Sequence, residues 1–255
     1  MSGRMSGRRG RVVPPLIAFA GFIVAWQALV WLGGYPPFIL PGPLVVAQRF
    51  VEAVVDGTFT PHLLTTLGEI LVGFAAGAAA ALPTGYLLAR SRLVNRVMSP
   101  YLVAAQAVPI LALAPLIALW FGTGLLSRSV IVALVVYFPV AISTFVAVRG
   151  VDRRLLEMAH SYRVTRRQRI VLVEIPAALP GIVGGLRIGI TLAVVGAIVA
   201  EWTGGEVGLG VLINLARGSL FDIPLLFATL VLIALVGIAL YAIVLLVERR
   251  VVIRS

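Results

Sequence analysis

Six stretches of this chain are each long and apolar enough to cross a hydrocarbon core, and that repetition limits the fold more than any single motif. A spanning helix needs about 20 apolar residues. The runs cover 12–34, 63–89, 99–121, 129–148, 180–200 and 223–247. Backbone polar groups in lipid must be satisfied within the segment, so each run reads as a helix, and the alternation of a β-barrel is absent. The fold class expected is therefore all-α: a polytopic membrane protein of about six transmembrane helices. It forms one transmembrane domain over 12–255, behind an Arg-rich tail over 1–11. A composition of 60% hydrophobic and 12% charged residues, with mean hydropathy +1.07, agrees.

All 21 cationic residues are Arg. A phosphate-binding loop places a Lys on the β/γ-phosphates, so this chain lacks an ordinary one, and the energy that drives it is expected from an ion gradient or from another polypeptide. Cysteine is absent too, which excludes disulfides and thiolate chemistry. The net charge of +11 lies between apolar runs instead of along one soluble face, so it is read as topology charge and nucleic acid is not expected as a partner. With both termini in the cytoplasm, Arg4, Arg8, Arg9 and Arg11 fall inside. So do Arg90, Arg92 and Arg96, the Arg cluster of 149–169, and Arg249, Arg250 and Arg254. Only Arg49, Arg128 and Arg217 fall outside. Trp31, Trp120 and Trp202 then sit near outer helix ends, as in an aromatic belt. The first run is too long for a cleavable signal, and no small-residue cleavage site follows it.

Two segments do not span. Residues 41–57 gather Leu44, Val45, Ala47, Phe50, Val51, Val54 and Val55 mainly on one helical side, with Pro43 suited to an early position, and read as an amphipathic outer helix that packs. The segment 149–179 is too polar to span and too long for a simple connector. It reads as a helix from Asp152 to Tyr162, a turn, and a second helix from Thr165 to about Glu174. Asp152 and Thr165 are the N-caps. Pro176 and Pro180 mark re-entry, because the residue before a proline avoids helical geometry. Short Arg-studded helices at the inner surface suit either a soluble partner or anionic lipid.

Glu157-Met158-Ala159, then Ile175-Pro176 and Leu179-Pro180-Gly181-Ile182, resemble the EAA loop of binding-protein-dependent ABC importer permeases. Val108 to Leu116 running into Trp120-Phe121-Gly122 is similar to the nitrate, sulfonate and taurine branch. So are Gly185-Leu186-Arg187, Glu201-Trp202, Gly208-Leu209-Gly210 and Glu248-Arg249-Arg250, and the similarity extends from about Leu40 onward. The resemblance implies a type I ABC importer permease-like fold in a bacterial inner membrane, with 149–179 as the loop that couples to the ATPase. By it, Glu157, Met158, Ala159, Arg163, Pro176, Leu179, Pro180 and Gly181 are the coupling residues. Met158 replaces the family's second Ala. Arg163 stands where the family has Gly, at a turn where left-handed geometry costs another residue roughly 1–2 kcal/mol.

The partners implied are a cytoplasmic ABC ATPase dimer, a second permease copy forming a homodimer, an extracytoplasmic solute-binding protein and membrane lipid. The chain itself is no enzyme, has no catalytic residues, and needs no cofactor or metal. The branch includes riboflavin and thiamine-pyrimidine-precursor permeases, toward which Asp222 to Ala228 leans. Sulfonate, taurine and nitrate are the other solutes implied.

Glu69 and Arg187 are the only charges well inside the expected spans, and such residues are functional candidates by default. Glu69 is placed two turns from its outer end, within reach of water or of Thr65 and Thr66. Arg187 is read as structural and snorkelling. Glu201 opens a glycine-rich outer loop and is expected either to meet the binding protein or to face solvent. Pro109 and Pro115 kink the third span, lining a polar path or merely bending the core. With Glu69 and Glu201 they are the candidate translocation residues. Gly73 and Gly77, and Gly181, Gly185 and Gly189, recur at the four-residue spacing that lets helices approach, within the bundle or across a dimer. The rival function is an ion-coupled secondary transporter, in which Glu69 is the first carboxylate to consider.

Overall fold

A computed structural model describes residues 6–252, all α-helical apart from short turns, one 3₁₀ turn and one π turn. Arg4 and Arg254, assigned above to the tails, lie outside the described residues. The helices are α1 (Ser6–Gly33), α2 (Pro43–Val55), α3 (Phe59–Arg90), α4 (Arg92–Ala107), α5 (Ala114–Phe121) and α6 (Leu125–Arg149). They continue with α7 (Arg153–Ser161), α8 (Arg166–Arg169), α9 (Ile175–Trp202), α10 (Leu209–Arg217) and α11 (Ile223–Val252).

Among the described residues, five helical stretches are long and apolar enough to cross a membrane: Leu16–Gly33, Phe59–Arg90, Leu125–Arg149, Arg166–Trp202 and Ile223–Arg250. The third expected span, 99–121, is not one helix. It is divided among the end of α4, a 3₁₀ turn (Ile110–Leu113) and α5. Val108 adopts extended geometry (φ −75°, ψ 123°), which the following Pro109 imposes. Pro115 then sits in the first turn of α5, where its missing N–H has no intrahelical acceptor to lose.

The re-entry prolines behave differently from expectation. A π turn over Ile170–Glu174 joins α8 to α9, and helix continues through Pro176 and Pro180. The π turn moves the hydrogen-bond register just ahead of Pro176, which occupies the first turn of α9. At the other terminus α1 starts at Ser6, inside the segment read as a tail.

The residues fall into two compact units. The first holds 6–60 and 212–231. In it Trp26 stacks 5.9 Å from Phe227, and Phe50 lies 5.4 Å from Phe59. Arg49 Nε donates to Asp222 at 2.7 Å, while the other oxygen of Asp222 accepts from Leu225 N and caps α11. The helix over Pro43–Val55 forms as expected. It buries Val46 and Ala53, however, and leaves Leu44, Val51, Val54 and Val55 exposed, so most of its apolar side is free for lipid or protein.

The second unit holds 61–211 and 232–252. Its axis is α6, whose Val132, Val136 and Val140 are fully buried against Ile70 and Ala81 of α3 and Ile190 and Ala193 of α9. Small residues allow this. A Cβ on Gly77 would meet the Ala133 carbonyl oxygen at 2.6 Å, and one on Gly181 would meet Ala147 Cβ at 2.6 Å. Gly73, Gly185 and Gly189 face α6 in the same way. The four-residue glycine spacing therefore serves packing within the bundle.

Candidate functional site

At the C-terminal end of α6 the chain turns into the polar helix pair. Asp152 Oδ1 accepts from Arg154 N at 2.8 Å and starts α7. Leu156 turns inward onto Val148, Val151 and Ala178. This sets the helix face: Ala159 is buried, whereas Glu157 and Met158 point outward. Leu155 and Tyr162 are exposed on either side of Met158, giving a ridge of apolar side chains flanked by Arg153, Arg154 and Glu157. Exposed apolar ridges rimmed by charge are the usual form of a protein contact.

The turn after α7 takes the left-handed geometry expected of it. Arg163 has φ +53°, and Val164 N reaches back to the Ala159 carbonyl at 3.3 Å. A capping box follows: Thr165 Oγ1 accepts from Gln168 N, and Gln168 Oε1 accepts from Thr165 N at 2.8 Å. A single buried carboxylate ties the second helix to the bundle. Glu174, 1% exposed, accepts from Tyr86 Oη at 2.7 Å and Arg90 Nε at 2.9 Å, and Arg169 Nε lies 3.0 Å away as an ion pair. Hydropathy alone hides this role, because the partners are 84 and 88 positions away.

A second polar cluster lies at the N-terminal end of α6, and it corrects three expectations. Glu69 is not water-exposed: it is fully buried and binds Arg128 Nη1 at 2.6 Å. Glu201 neither faces solvent nor offers a contact surface. It is 2% exposed, accepting from Thr66 Oγ1 and from Gly210 N. Arg128, assigned above to an outer loop, is buried and also donates to the carbonyls of Val207 (2.9 Å) and Gly204 (3.0 Å). His62 Nδ1 meets Gly208 N at 3.0 Å, and Leu209 N donates to Thr66 Oγ1 at 2.9 Å. Side chains from α3, α6 and α9 thus hold the glycine-rich 203–210 loop. No Cβ fits at Gly208, where the Glu201 carboxylate already occupies the space. Pro109 and Pro115, on the broken segment, take no part in these hydrogen bonds.

Arg187, read as structural, pairs with Glu248 at 3.2 Å across α9 and α11, so its charge is met inside the bundle. Thus the buried Glu69 and Glu174 carboxylates, and Arg187, are each met by opposite charge, as burial requires.

Residues 81–253 match the model of the family described as "Binding-protein-dependent transport system inner membrane component". The chain is 47% identical over 230 residues to the riboflavin transport system permease protein of Chloroflexus aurantiacus, covering 90% of this chain and 85% of the relative. It is 32% identical to the formylaminopyrimidine transport permease protein of Halalkalibacterium halodurans, over 91% of each chain. A putative aliphatic sulfonates transport permease protein of Bacillus subtilis is 34% identical, over 97% of this chain and 87% of that one. Among solved structures, an inward-facing form of the MetNI methionine ABC transporter superposes with a TM-score of 0.67 at 22% identity, over 74% of this chain and 94% of that chain, a likeness of fold. The chain belongs to the inner-membrane components of binding-protein-dependent transport systems, as an ABC importer permease subunit of the type I fold.

Proposed function

We propose that this permease subunit imports a planar heteroaromatic nutrient, riboflavin first and a thiamine pyrimidine precursor second. It works with a second copy of itself, two separate ATPase subunits and an external solute-binding protein. The 47% identity to a riboflavin permease over most of both chains supports the solute, and the 32% identity to a formylaminopyrimidine permease supports the class. In this reading the N- and C-termini lie in the cytoplasm and the helix pair over 153–169 couples to the ATPase.

The observation that carries the coupling role is the outward ridge of Leu155, Met158 and Tyr162 beside Glu157, backed by Ala159 and Leu156 packed inward. An element that is rigid underneath and apolar on top can transmit a push. ATP-driven movement of the partner would shift α7 and α8. Through Arg169, Glu174 and Arg90 it would shift α3 and α9, switching the bundle between outward- and inward-open states. Pro176, Leu179, Pro180 and Gly181 lie on the first turns of α9, where that movement enters the membrane. The rival ion-coupled carrier needs a carboxylate free to exchange its ion, and Glu69 is held by Arg128.

The test is reconstitution in proteoliposomes of the permease with the ATPase and binding protein encoded beside it. ATP-dependent accumulation of labelled riboflavin, absent without the binding protein, is expected. Accumulation driven by an ion gradient without ATP would support the rival.

A further inference from the structure

Along α4, Arg92, Asn95, Arg96, Ser99, Val103 and Gln106 recur every three to four residues, so five polar side chains share one face of a helix that buries none of its residues. That face borders a groove against α6. A cavity of about 320 Å³ is lined there by Asn95, Ser99 and Gln106 opposite Phe138 and Phe145. A wider cavity, sharing Asn95, Ser99 and Val103 with the first, opens among Arg92, Arg96 and Arg149. The Arg149 guanidinium lies 5.5 Å from the Phe145 ring centre and links the cationic mouth to the aromatic wall.

Depth follows from helix geometry. At 1.5 Å per residue, Gln106 lies about 15 Å further along α4 than Arg96, roughly half the thickness of a hydrocarbon core. There α4 stops. Val108 is extended, Pro109 donates nothing, and the helix resumes as a 3₁₀ turn. The last carbonyls of a helix lack intrahelical partners and carry the negative end of its dipole. Unwound backbone at mid-membrane depth is tolerated where it lines a cavity. A free carboxamide there is costly against lipid unless it is hydrogen-bonded, so it calls for a polar counterpart.

Resting on the riboflavin-class reading above, we infer that the groove between α4 and α6 is the solute's path, with its midplane site at Gln106 and the broken end of α4. The chemistry specifies a neutral or anionic planar heteroaromatic bearing adjacent N–H and C=O groups. The Gln106 carboxamide offers one donor and one acceptor side by side, the α4 carbonyls accept further N–H groups, and Phe138 and Phe145 cover flat apolar rings. Asn95 accepts from Ser99 through Oδ1, which leaves its amide N–H groups free to hand the solute's carbonyls toward the mouth. The three arginines of that mouth repel cationic solutes.

The chain contains no cysteine, so single cysteines can be placed by Ser99→Cys and Gln106→Cys without background. Each variant is assembled with its ATPase and binding protein and labelled with a water-soluble maleimide. Both positions are expected to react, and in the Ser99→Cys variant, which keeps Gln106 and lines the same cavity, riboflavin-loaded binding protein with ATP is expected to slow labelling at 99 about tenfold, the factor equivalent to 1.4 kcal/mol. Gln106→Leu is expected to lower riboflavin import about tenfold while the complex still co-purifies. Failure of either cysteine to react means that lipid or the second copy seals this face, and overturns the inference. So does unchanged labelling at 99 during active import, or full import by Gln106→Leu. If the unmodified transporter imports no riboflavin, the substrate reading fails on its own. Reactivity at 99 and 106 without solute then still decides whether the groove is a water-lined path.

Discussion

Arg128 donates to Glu69 at 2.6 Å while its second terminal nitrogen holds the Gly204 carbonyl, so one buried guanidinium joins α3, α6 and the 203–210 loop. Glu201, which accepts from Thr66 of α3, fixes the far end of the same loop through Gly210 N. The arrangement is a clamp: three charged side chains keep a glycine-rich segment seated on the bundle.

Removing the cation leaves the buried Glu69 carboxylate without its ion-pair partner. Arg128→Met is expected to destabilise the chain by about 3–5 kcal/mol, the usual cost of breaking a buried pair from one side. Thermal unfolding in detergent checks this. Arg128→Met with Glu69→Gln should recover part of the loss, because the uncompensated charge on Glu69 is gone. A double variant no better than Arg128→Met alone would mean that Glu69 does not need its partner.

Glu174→Gln should loosen α8 from α3. Charge-assisted hydrogen bonds are worth roughly 1.5–3 kcal/mol each, so a modest fall in melting temperature is expected. If coupling runs through α7 as proposed, import should fall by a larger factor than ATP hydrolysis, because docking on α7 is left intact while α3 is moved less. Comparing solute transported per ATP in proteoliposomes with that of the unmodified chain reads this out.

Arg163→Gly should stabilise. At φ +53° a side chain carries a penalty of roughly 1–2 kcal/mol that glycine escapes, offset in part by glycine's greater freedom when unfolded. A melting temperature equal to or above that of the unmodified chain is expected, with ATPase capture retained. A clear fall would mean that the Arg163 side chain makes a contact that outweighs the strain.

Gly77→Ala should cost about 1–3 kcal/mol by overpacking, since the added methyl would meet backbone, the Ala133 carbonyl at 2.6 Å, which cannot rotate away. Gly21→Ala, with open space around it, serves as the comparison and should change stability little, as measured by unfolding in the same detergent.

These expectations trace what was legible in the chain. The caps at Asp152 and Thr165 could be read because each bonds backbone two or three residues away. Left-handed geometry at Arg163 was implied by the resemblance, which puts the family's usual Gly at that turn. Glu201 was misjudged because a glycine-rich loop beside a carboxylate looks solvated, and nothing local reveals that Thr66, 135 positions earlier, packs against it. Arg128 was assigned to a loop by charge, although it enters α6 and turns inward. The period of Asn95, Ser99 and Gln106 was present in the sequence, but averaging hydropathy along 99–121 conceals a stripe only one residue wide. Pro109 signalled a kink, and only the structure distinguishes a kink from a break.

The most direct test of the account is capture of the ATPase by the permease in mild detergent, comparing the unmodified chain with Glu157→Ala and with Tyr162→Ala. The account predicts stoichiometric capture by the unmodified chain. Each substitution should weaken it about tenfold, as expected for an anchor of a protein interface worth more than 1 kcal/mol. Capture unchanged by either substitution, with both variants folded, would contradict docking through α7 and place the coupling surface elsewhere on the chain.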